Sequence, residues 1–396
     1  MTKLKFLHFA DSHIDAIQSG KWDPETGLPI RVMDFLKSLE TIVDAAIEEN
    51  VDVVLFAGDA YKDRNPTPQY QEALASRILK LEKAKIPTFL LVGNHDMGAL
   101  MKAHALTEFK TFNTEYVKVL DQIEFQKYTW GPGFGLISLP WVHKSQLDNQ
   151  GVMFEVADLA DGMDPNQINI FLGHCSVAGA KFSSERLVML GEDLILPQQL
   201  LIDSGFDYVA LGHIHKHQDL NPDRLPGGDG PPVIYPGSIE RVDWGECGES
   251  KGFIIGEIVK GEQPKLEWRE LDIRPMHDYI IPLERRESIM DDVEMALGGD
   301  VLDPGAMVRV KIQYPENWAG LINSPEIEKL FPNALDVQIV HDPLRENRAR
   351  LDLDDDVASY SPPELLGMWM DQKEIEENEQ SALVEKAAAI FEKGGE

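Results

Sequence analysis

An apolar run leads directly into a polar turn at residues 86–96, Ile86-Pro87-Thr88-Phe89-Leu90-Leu91-Val92-Gly93-Asn94-His95-Asp96. A short run of this kind, bounded by proline and glycine, predicts a buried strand. The turn that follows offers an amide oxygen, an imidazole and a carboxylate, which are all ligand types for divalent cations. The stretch therefore predicts a strand that presents metal-capable side chains at its carboxyl end.

The same arrangement occurs four more times along the first 215 residues. Apolar runs at 4–10, 51–57, 168–172 and 208–211 each end in a polar turn, and these turns are Asp11-Ser12-His13, Gly58-Asp59, Gly173-His174 and Gly212-His213-Ile214-His215. Helices are predicted at 30–49 and 69–85, where apolar residues recur at three- and four-residue steps. Alternating strands and helices predict an α/β fold. Further strands at 133–139, 233–235 and 253–259 are enough for two sheets.

The five turns together predict one metal-binding pocket, because ligand sites in α/β sheets gather at the carboxyl ends of strands. They supply two aspartates, one asparagine and four or five histidines. This set is too large for one ion and suits two ions that share a carboxylate. Two ions roughly 3.5–4 Å apart serve phosphoester hydrolysis. The only cysteines are Cys175 and Cys247, which are too few for a thiolate cluster. A structural zinc site is therefore not expected.

Each turn also has an ordinary structural explanation when it is taken alone. An Asp-x-His turn is commonly solvated, Gly-Asp is a generic strand exit, and a Gly-His pair is usually a loop histidine. Five such turns in order, each at the end of a strand, favour a shared site. Histidines elsewhere lack this context and are expected to be ordinary surface or core residues, namely His8, His104, His143, His277 and His341.

The composition predicts the compartment and constrains the partners. The 396 residues carry a net charge of −31, and residues 271–396 alone hold 12 basic and 28 acidic residues. This balance excludes nucleic-acid binding through a blanket positive surface. Two cysteines, no signal peptide and no apolar run of roughly 18 residues predict a cytoplasmic protein without a membrane partner.

The order and residue patterns of the five turns resemble those of the calcineurin-like metallophosphoesterases, over about residues 4–260. A second string, Tyr235-Pro236-Gly237-Ser238-Ile239-Glu240-Arg241-Val242-Asp243-Trp244-Gly245-Glu246, is similar to a segment of the SbcD-type DNA nucleases, as is the stretch from His174 to Ala180. These nucleases are bacterial relatives of the nuclease subunit in the double-strand-break repair complex. The resemblance implies a two-sheet metallophosphoesterase sandwich flanked by helices.

The resemblance also implies roles for individual residues. One ion would be held by Asp11, His13, Asp59 and His215, and a second by Asp59, Asn94, His174 and His213, so that Asp59 bridges them. His95 would be catalytic on the leaving-group side, and Asp96 would orient its imidazole or cap the turn. Mn²⁺ is favoured, although the same ligands accept Fe, Zn or Mg to some degree. Three residues after Asp59 the family carries histidine or an acidic residue, whereas this chain has Lys62. Lys62 or Arg64 positioning the substrate is one hypothesis, but we expect both residues to lie in a solvated loop.

The implied function is Mn²⁺-dependent nuclease activity, 3′→5′ on duplex ends and endonucleolytic on single strands. Residues 1–270 would form the nuclease domain. Residues 271–345, with strands and helices alternating from 279 to 341, would form a small α+β capping domain that helps select DNA. Residues 346–396 would form an acidic tail whose helices dock on the coiled coil of an SbcC-type ABC ATPase. A homodimer is also implied.

Alternatives remain open at this point. The tail helix that carries Trp369 and Met370 would equally suit packing against its own core. The chain would alternatively be a stand-alone phosphodiesterase or phosphatase for small nucleotides. A third hypothesis is a scaffold for the ATPase that mainly binds DNA ends.

Overall fold

The computed structural model describes residues 2–16, 21–98, 104–143, 145–183, 194–224, 230–283, 289–297 and 304–344, together with Leu366, Met370 and Leu383. Within these residues the strands are, in chain order, β1 (Lys3–Phe9), β2 (Val53–Phe56), β3 (Thr88–Leu91), β4 (Val117–Leu120), β5 (Glu124–Tyr128), β6 (Phe134–Leu139), β7 (Ile168–His174), β8 (Ser176–Val177), β9 (Ile195–Leu196), β10 (Tyr208–Gly212), β11 (Gln218–Asp219), β12 (Val233–Tyr235), β13 (Gly252–Val259), β14 (Lys265–Glu270), β15 (Met276–Pro282), β16 (Met307–Pro315) and β17 (Asp336–Leu344). The α-helices are α1 (Ile30–Glu48), α2 (Pro68–Ala84), α3 (Thr107–Thr111), α4 (Asn149–Asp161), α5 (Gln198–Asp203), α6 (Ile289–Leu297) and α7 (Ser324–Glu328).

The first sheet has six strands in the order β14-β13-β1-β2-β3-β4. Strands β1 to β4 run parallel, with Phe6 opposite Val53 and Leu55 opposite Phe89, whereas β13 pairs antiparallel with β1. Every residue of β2 and β3 is buried, as expected for parallel strands covered on both faces. The carboxyl ends of β1, β2 and β3 therefore meet at one edge of this sheet.

The second sheet also has six strands, in the order β11-β12-β10-β7-β6-β5. Strands β12, β10, β7 and β6 run parallel to one another. An apolar cluster joins the two sheets, and in it the rings of Phe6 and Tyr208 lie 4.4 Å apart. Full burial of a large apolar side chain stabilises the fold by roughly 1.5–3 kcal/mol. This shared layer therefore holds the sheets face to face.

Helices cover the outer face of each sheet. Helices α1 and α2 pack on the first sheet through residues such as Phe35 and Leu74, which belong to one cluster with Phe56. Helices α4 and α5 pack on the second sheet, where Val152 and Leu201 belong to another cluster. The layers thus follow the order helices, sheet, sheet, helices. The predicted α/β class, a two-sheet sandwich flanked by helices, is confirmed.

The chain divides into two compact units. One comprises Met1–Asp278, Leu302–Val308 and Asn333–Asp336, and it holds both six-stranded sheets. The other comprises Tyr279–Val301, Arg309–Pro332 and Val337–Glu396. Strands β15, β16 and β17 form a three-stranded sheet in that order. The strands and helices that the sequence predicts from 279 to 341 correspond to β15, α6, β16, α7 and β17. The assignment of a DNA-selecting role to this region stays a prediction.

Several elements are absent from the predictions. Strands β5 and β14 and helix α4 lie in stretches whose hydrophobic pattern is weak. In the tail, Leu366 and Met370 are helical and Met370 is buried, which agrees with the predicted helix there. Most of the tail, including Trp369, lies outside the described residues. Across the part of the chain that is described, each helix is too short or too polar to cross a membrane.

Candidate metal centre

The five predicted turns come together at adjoining edges of the two sheets. Three of them follow β1, β2 and β3 of the first sheet, and two lie at the ends of β7 and β10 of the second. Most of the predicted ligands have less than a tenth of their surface exposed, namely Asp11, His13, Asp59, His174, His213 and His215. Asn94 and His95 are half-buried. The structure therefore brings all eight predicted site residues to one place.

Backbone hydrogen bonds fix the first two turns to each other. The amide of Asp11 donates to the carbonyl of Gly58 at 2.9 Å, and the amide of His13 donates to that of Asp59 at 3.2 Å. The Asp11 carboxylate in turn accepts the amide of His213 at 2.9 Å. Four of the predicted ligands have a left-handed backbone, with φ of 52° at Asp11, 34° at His13, 61° at Asp59 and 96° at His213. Such strain clusters at functional sites.

Asp96 shapes the turn that carries Asp59. Its carboxylate accepts backbone N–H groups from Gly93 at 2.9 Å, Asp59 at 3.0 Å and Ala60 at 2.9 Å. The Nδ1 of His95 instead donates to the carbonyl of Lys62 at 2.9 Å. Of the two roles considered for Asp96, capping the turn therefore matches the structure, and no described hydrogen bond joins it to the His95 ring.

Gly93 is required by a close approach of two turns. A Cβ at this position would lie 2.1 Å from Oδ1 of Asp59 and 2.4 Å from its backbone nitrogen. Both atoms are held by hydrogen bonds, because Asp59 Oδ1 accepts the amide of His95 at 2.9 Å and the Asp59 amide donates to the Asp96 carboxylate at 3.0 Å. Only glycine lets the two ligand-bearing turns lie this close.

The first group of ligand atoms includes two imidazoles that face each other. Nε2 of His13 lies 3.1 Å from Nε2 of His215 and 3.6 Å from Oδ2 of Asp59. His13 Nδ1 donates to the carbonyl of Tyr61 at 3.1 Å, and His215 Nδ1 bonds the Glu246 carboxylate at 2.7 Å. In the neutral rings both Nε2 atoms therefore carry lone pairs that point toward each other.

The second group of ligand atoms includes His174 and His213. Nε2 of His174 lies 2.9 Å from Oδ1 of Asn94 and 3.4 Å from Oδ2 of Asp59, and His213 Nδ1 lies 3.0 Å from the same Asn94 oxygen. His174 Nδ1 donates to the carbonyl of Ala57 at 2.7 Å. Oδ2 of Asp59 thus lies between a histidine of each group, where a bridging ligand would be expected.

A comparison with known families identifies the family of this chain. The family model described as calcineurin-like phosphoesterase matches residues 4–217. The chain belongs to this family. Membership of this family supports phosphoester hydrolysis as the function of the chain. Among solved structures, a dimetal phosphatase from Danio rerio is similar at 12% identity and a TM-score of 0.40, over 66% of this chain and 98% of that chain.

The donor set of the phosphoesterase fits divalent cations. Ligand atoms of Asp11, His13 and His215 lie within 4.8 Å of one another, and so do those of Asp11, Asp59 and His174. Two opposed imidazole lone pairs repel each other unless a positive charge lies between them. A divalent ion bound by His13, His215 and the carboxylates would supply that charge.

The protonation of the buried groups reflects the same need. Burial raises the pKa of Asp11 to about 6. Burial would also raise the pKa of Asp59, but the positive charge of His174 holds it well below its usual range. Although burial opposes a charged His174, Asp59 raises its pKa to about 9. The Asp59 carboxylate thus favours positive charge beside it, which a bound divalent ion would also supply.

Sequence reasoning missed two supporting residues of the phosphoesterase. Glu246 is fully buried and bonds both His215 and Nζ of Lys251, the latter at 2.8 Å. Lys251 is itself fully buried, and its Nζ also donates to the carbonyl of His215 at 3.0 Å. Glu246 was visible in the sequence as the last residue of the Pro-Gly-Ser string. Lys251 gave no signal, because lysine is almost never fully buried unless it is paired.

Histidines outside the five turns have ordinary surroundings where they are described. His8 is buried, with Nδ1 3.0 Å from the Tyr208 hydroxyl and Nε2 3.2 Å from the Leu211 carbonyl. His104 lies 3.2 Å from the Asp121 carboxylate. These contacts agree with the expected core and surface roles. The side chains of Lys62 and Arg64 are exposed, as predicted for a solvated loop.

Proposed function

We propose that this phosphoesterase is a DNA nuclease of the SbcD type that hydrolyses phosphodiester bonds with two divalent ions, preferably Mn²⁺. One observation carries the proposal. The Pro-Gly-Ser string, which resembles that nuclease branch, contributes Glu246, and Glu246 bonds the predicted ligand His215 at 2.7 Å. The part of the sequence that points to nucleases is therefore built into the site itself.

The ligand sets that support this proposal are those implied by the sequence. Asp11, His13, Asp59 and His215 would hold one ion, and Asp59, Asn94, His174 and His213 would hold the other. When bound, a pair of divalent ions supplies positive charge for the phosphoryl oxygens and makes water more acidic. Buried second partners such as Glu246 and the Ala57 carbonyl fix the ring orientation of the ligand histidines.

His95 is suited to assist the leaving group. Its Nδ1 donates to the Lys62 carbonyl at 2.9 Å, so Nε2 is the nitrogen left for the substrate. The His95 ring also meets the His13 ring edge-on at 5.1 Å, which places it beside the ligands. Burial lowers the pKa of His95, so its protonated ring is a stronger acid than an exposed imidazolium. We propose that a protonated Nε2 donates to the departing sugar oxygen, which is general acid catalysis.

The remaining parts of the chain extend the proposal. Residues 271–345 would cap the site and help select DNA ends, and residues 346–396 would dock on the coiled coil of an SbcC-type ATPase. We further propose a homodimer that acts in the cytoplasm. The acidic residues of the tail, 346–396, suit a protein-docking role better than contact with phosphates.

The test is Mn²⁺-dependent degradation of linear duplex DNA by the wild type, Asp59→Asn and His95→Ala. We expect both variants to lose activity, with His95→Ala losing about 10²- to 10⁴-fold if it acts as a general acid. Lys83→Ala is the control, because Lys83 is exposed in the last turn of α2. Equal activity of all four proteins would contradict the site assignment.

Two outcomes would instead favour the alternatives. Turnover of a small diester but not of DNA, with or without the ATPase, would indicate a phosphodiesterase for small nucleotides. Full tethering of DNA ends by Asp59→Asn without cleavage would show a scaffold role that is separable from hydrolysis.

A further inference from the structure

A cleft of about 590 Å³ opens beside His95, and nothing in the proposed chemistry uses its other walls. Lys62, Arg64 and Val242 are among the residues that line it. Lys62 and Arg64 are exposed and have no ion-pair partner among the described residues. The cleft thus offers two cations directly next to the proposed leaving-group histidine.

Two carboxylates also lie in the cleft, but both are occupied by backbone amides. The Asp15 carboxylate accepts the amides of Lys62 and Asp63, the second at 3.1 Å. The Asp63 carboxylate accepts the amide of Asn65 at 2.9 Å. These bonds hold the loop 62–65 in shape while the cationic side chains extend into the cleft. Asp15 therefore positions the loop rather than pairing with its cations.

Lys62 is joined to the candidate site through its main chain. The backbone carbonyl of the same residue holds Nδ1 of His95 at 2.9 Å. Lys62 is thus fixed to the proposed leaving-group histidine through its main chain and leaves its side chain available for a ligand.

We propose that this cleft is a subsite for the phosphate next to the scissile one in a nucleic-acid strand, bound by Lys62 and Arg64. The inference rests on the proposed function and deepens it, because it names a strand rather than a small diester as the preferred substrate. An ammonium and a guanidinium are both suited to phosphate, the first as a point charge and the second as a planar fork.

The test compares substrates with and without the neighbouring charge. One substrate is a trinucleotide with two phosphodiester links. In each of two isomers a neutral methylphosphonate replaces one of the two links: the 5′ link in one isomer and the 3′ link in the other. Bis(p-nitrophenyl) phosphate serves as a diester with no neighbouring phosphate. The proteins are the wild type, the double variant Lys62→Ala/Arg64→Ala and the control Lys83→Ala.

We expect the double variant to raise KM for the trinucleotide about fivefold, the size typical of exposed ion pairs, and to leave bis(p-nitrophenyl) phosphate unchanged. Wild type should lose a similar factor on one methylphosphonate isomer, and the double variant should no longer distinguish that isomer from the parent. This loss of discrimination is what a direct contact produces in a double-mutant cycle. An equal effect on both kinds of substrate, or no effect, would overturn the subsite.

Failure of the proposed function would look different. It would appear as no turnover of the trinucleotide or of DNA by wild type, whether or not bis(p-nitrophenyl) phosphate is hydrolysed. Binding then still tests the subsite. Labelled single-stranded DNA can be titrated at several salt concentrations with two proteins, Asp59→Asn alone and Asp59→Asn combined with Lys62→Ala and Arg64→Ala. The slope of log affinity against log salt is negative. We expect its magnitude to decrease by about 0.7 for each phosphate that the protein with the added Lys62→Ala and Arg64→Ala changes no longer binds. An unchanged slope would overturn the subsite whatever the activity.

Discussion

Glu246 accepts a hydrogen bond from Nδ1 of His215 at 2.7 Å, and both groups are buried. Lys251 closes this arrangement by binding the other carboxylate oxygen of Glu246 at 2.8 Å. A buried carboxylate behind a ligand histidine fixes the ring and increases its basicity. The Pro-Gly-Ser string therefore acts on the candidate metal centre through one side chain.

Glu246→Gln should weaken metal binding without removing a ligand. Loss of such a partner typically lowers metal affinity about 10- to 100-fold. We expect that loss for Mn²⁺ in calorimetric titrations. Glu249→Gln is a matched control, because Glu249 also pairs with Lys251, at 3.0 Å, and makes no described contact with His215. Equal losses in the two variants would mean that the Lys251 pairing, and not the bond to His215, sets the affinity.

Gly93→Ala should disrupt the site from a single added methyl group. The new Cβ would lie 2.1 Å from Oδ1 of Asp59, so one of the two ligand-bearing turns must move. We expect overpacking to destabilise the protein by about 1–3 kcal/mol and to weaken Mn²⁺ binding at least tenfold. Urea unfolding and metal titration measure the two effects separately.

The control for that variant is Gly248→Ala. A Cβ on Gly248 has no other atom within 4 Å, and its φ lies outside the left-handed region. This variant should keep both stability and metal affinity. If Gly93→Ala behaves like Gly248→Ala, the two turns have more room than the structure gives them.

The fold and the ligands were predictable because both leave local signals. A buried parallel strand is a nearly continuous apolar run, as in Thr88–Leu91, and the glycine after it marks the turn. Those signals also placed His174 and His213 at strand ends. Short strands such as β5, with little of their surface buried, carry no comparable pattern, and for that reason they were missed.

The supporting contacts were not predictable because they join residues that are distant in sequence. Asp96 caps a turn 37 residues away at Asp59, and Glu246 reaches His215 across 31 residues. A sequence shows that a carboxylate is present but not which backbone amides converge on it. Asp96 therefore looked equally suited to orienting the neighbouring imidazole and to capping the turn.

Asp96→Asn should loosen the turn that holds Asp59. One of the two carboxylate oxygens becomes an NH₂ group, so either the amides of Gly93 and Asp59, which share Oδ2, or the amide of Ala60, which bonds Oδ1, lose their acceptor. A buried donor left without an acceptor destabilises by about 1–3 kcal/mol. We expect that loss in urea unfolding together with weaker Mn²⁺ binding.

Asp148→Asn provides the comparison, because Asp148 caps the start of α4 and bonds the amide of Gly151 at 2.8 Å. Asparagine is about as good an N-cap as aspartate, so this variant should retain nearly all its stability. A similar loss in both variants would indicate that the negative charge, rather than the number of acceptors, matters at Asp96.

His8 lies in β1 and is not one of the predicted metal ligands. Burial lowers its pKa to about 3, from an ordinary value of 6.5. Since the Leu211 carbonyl can only accept, Nε2 donates to it, and Nδ1 accepts from the Tyr208 hydroxyl. The folded protein therefore holds His8 neutral between pH 3 and 6.5, whereas the unfolded chain binds a proton there. Stability should fall as the pH drops through this window, by at most about 1.4 kcal/mol per pH unit from this residue.

In urea unfolding between pH 7 and pH 5, His8→Gln should be less stable at pH 7 but show a shallower dependence on pH than wild type. A slope for His8→Gln as steep as that of wild type would mean that other buried groups, and not His8, take up the proton on unfolding.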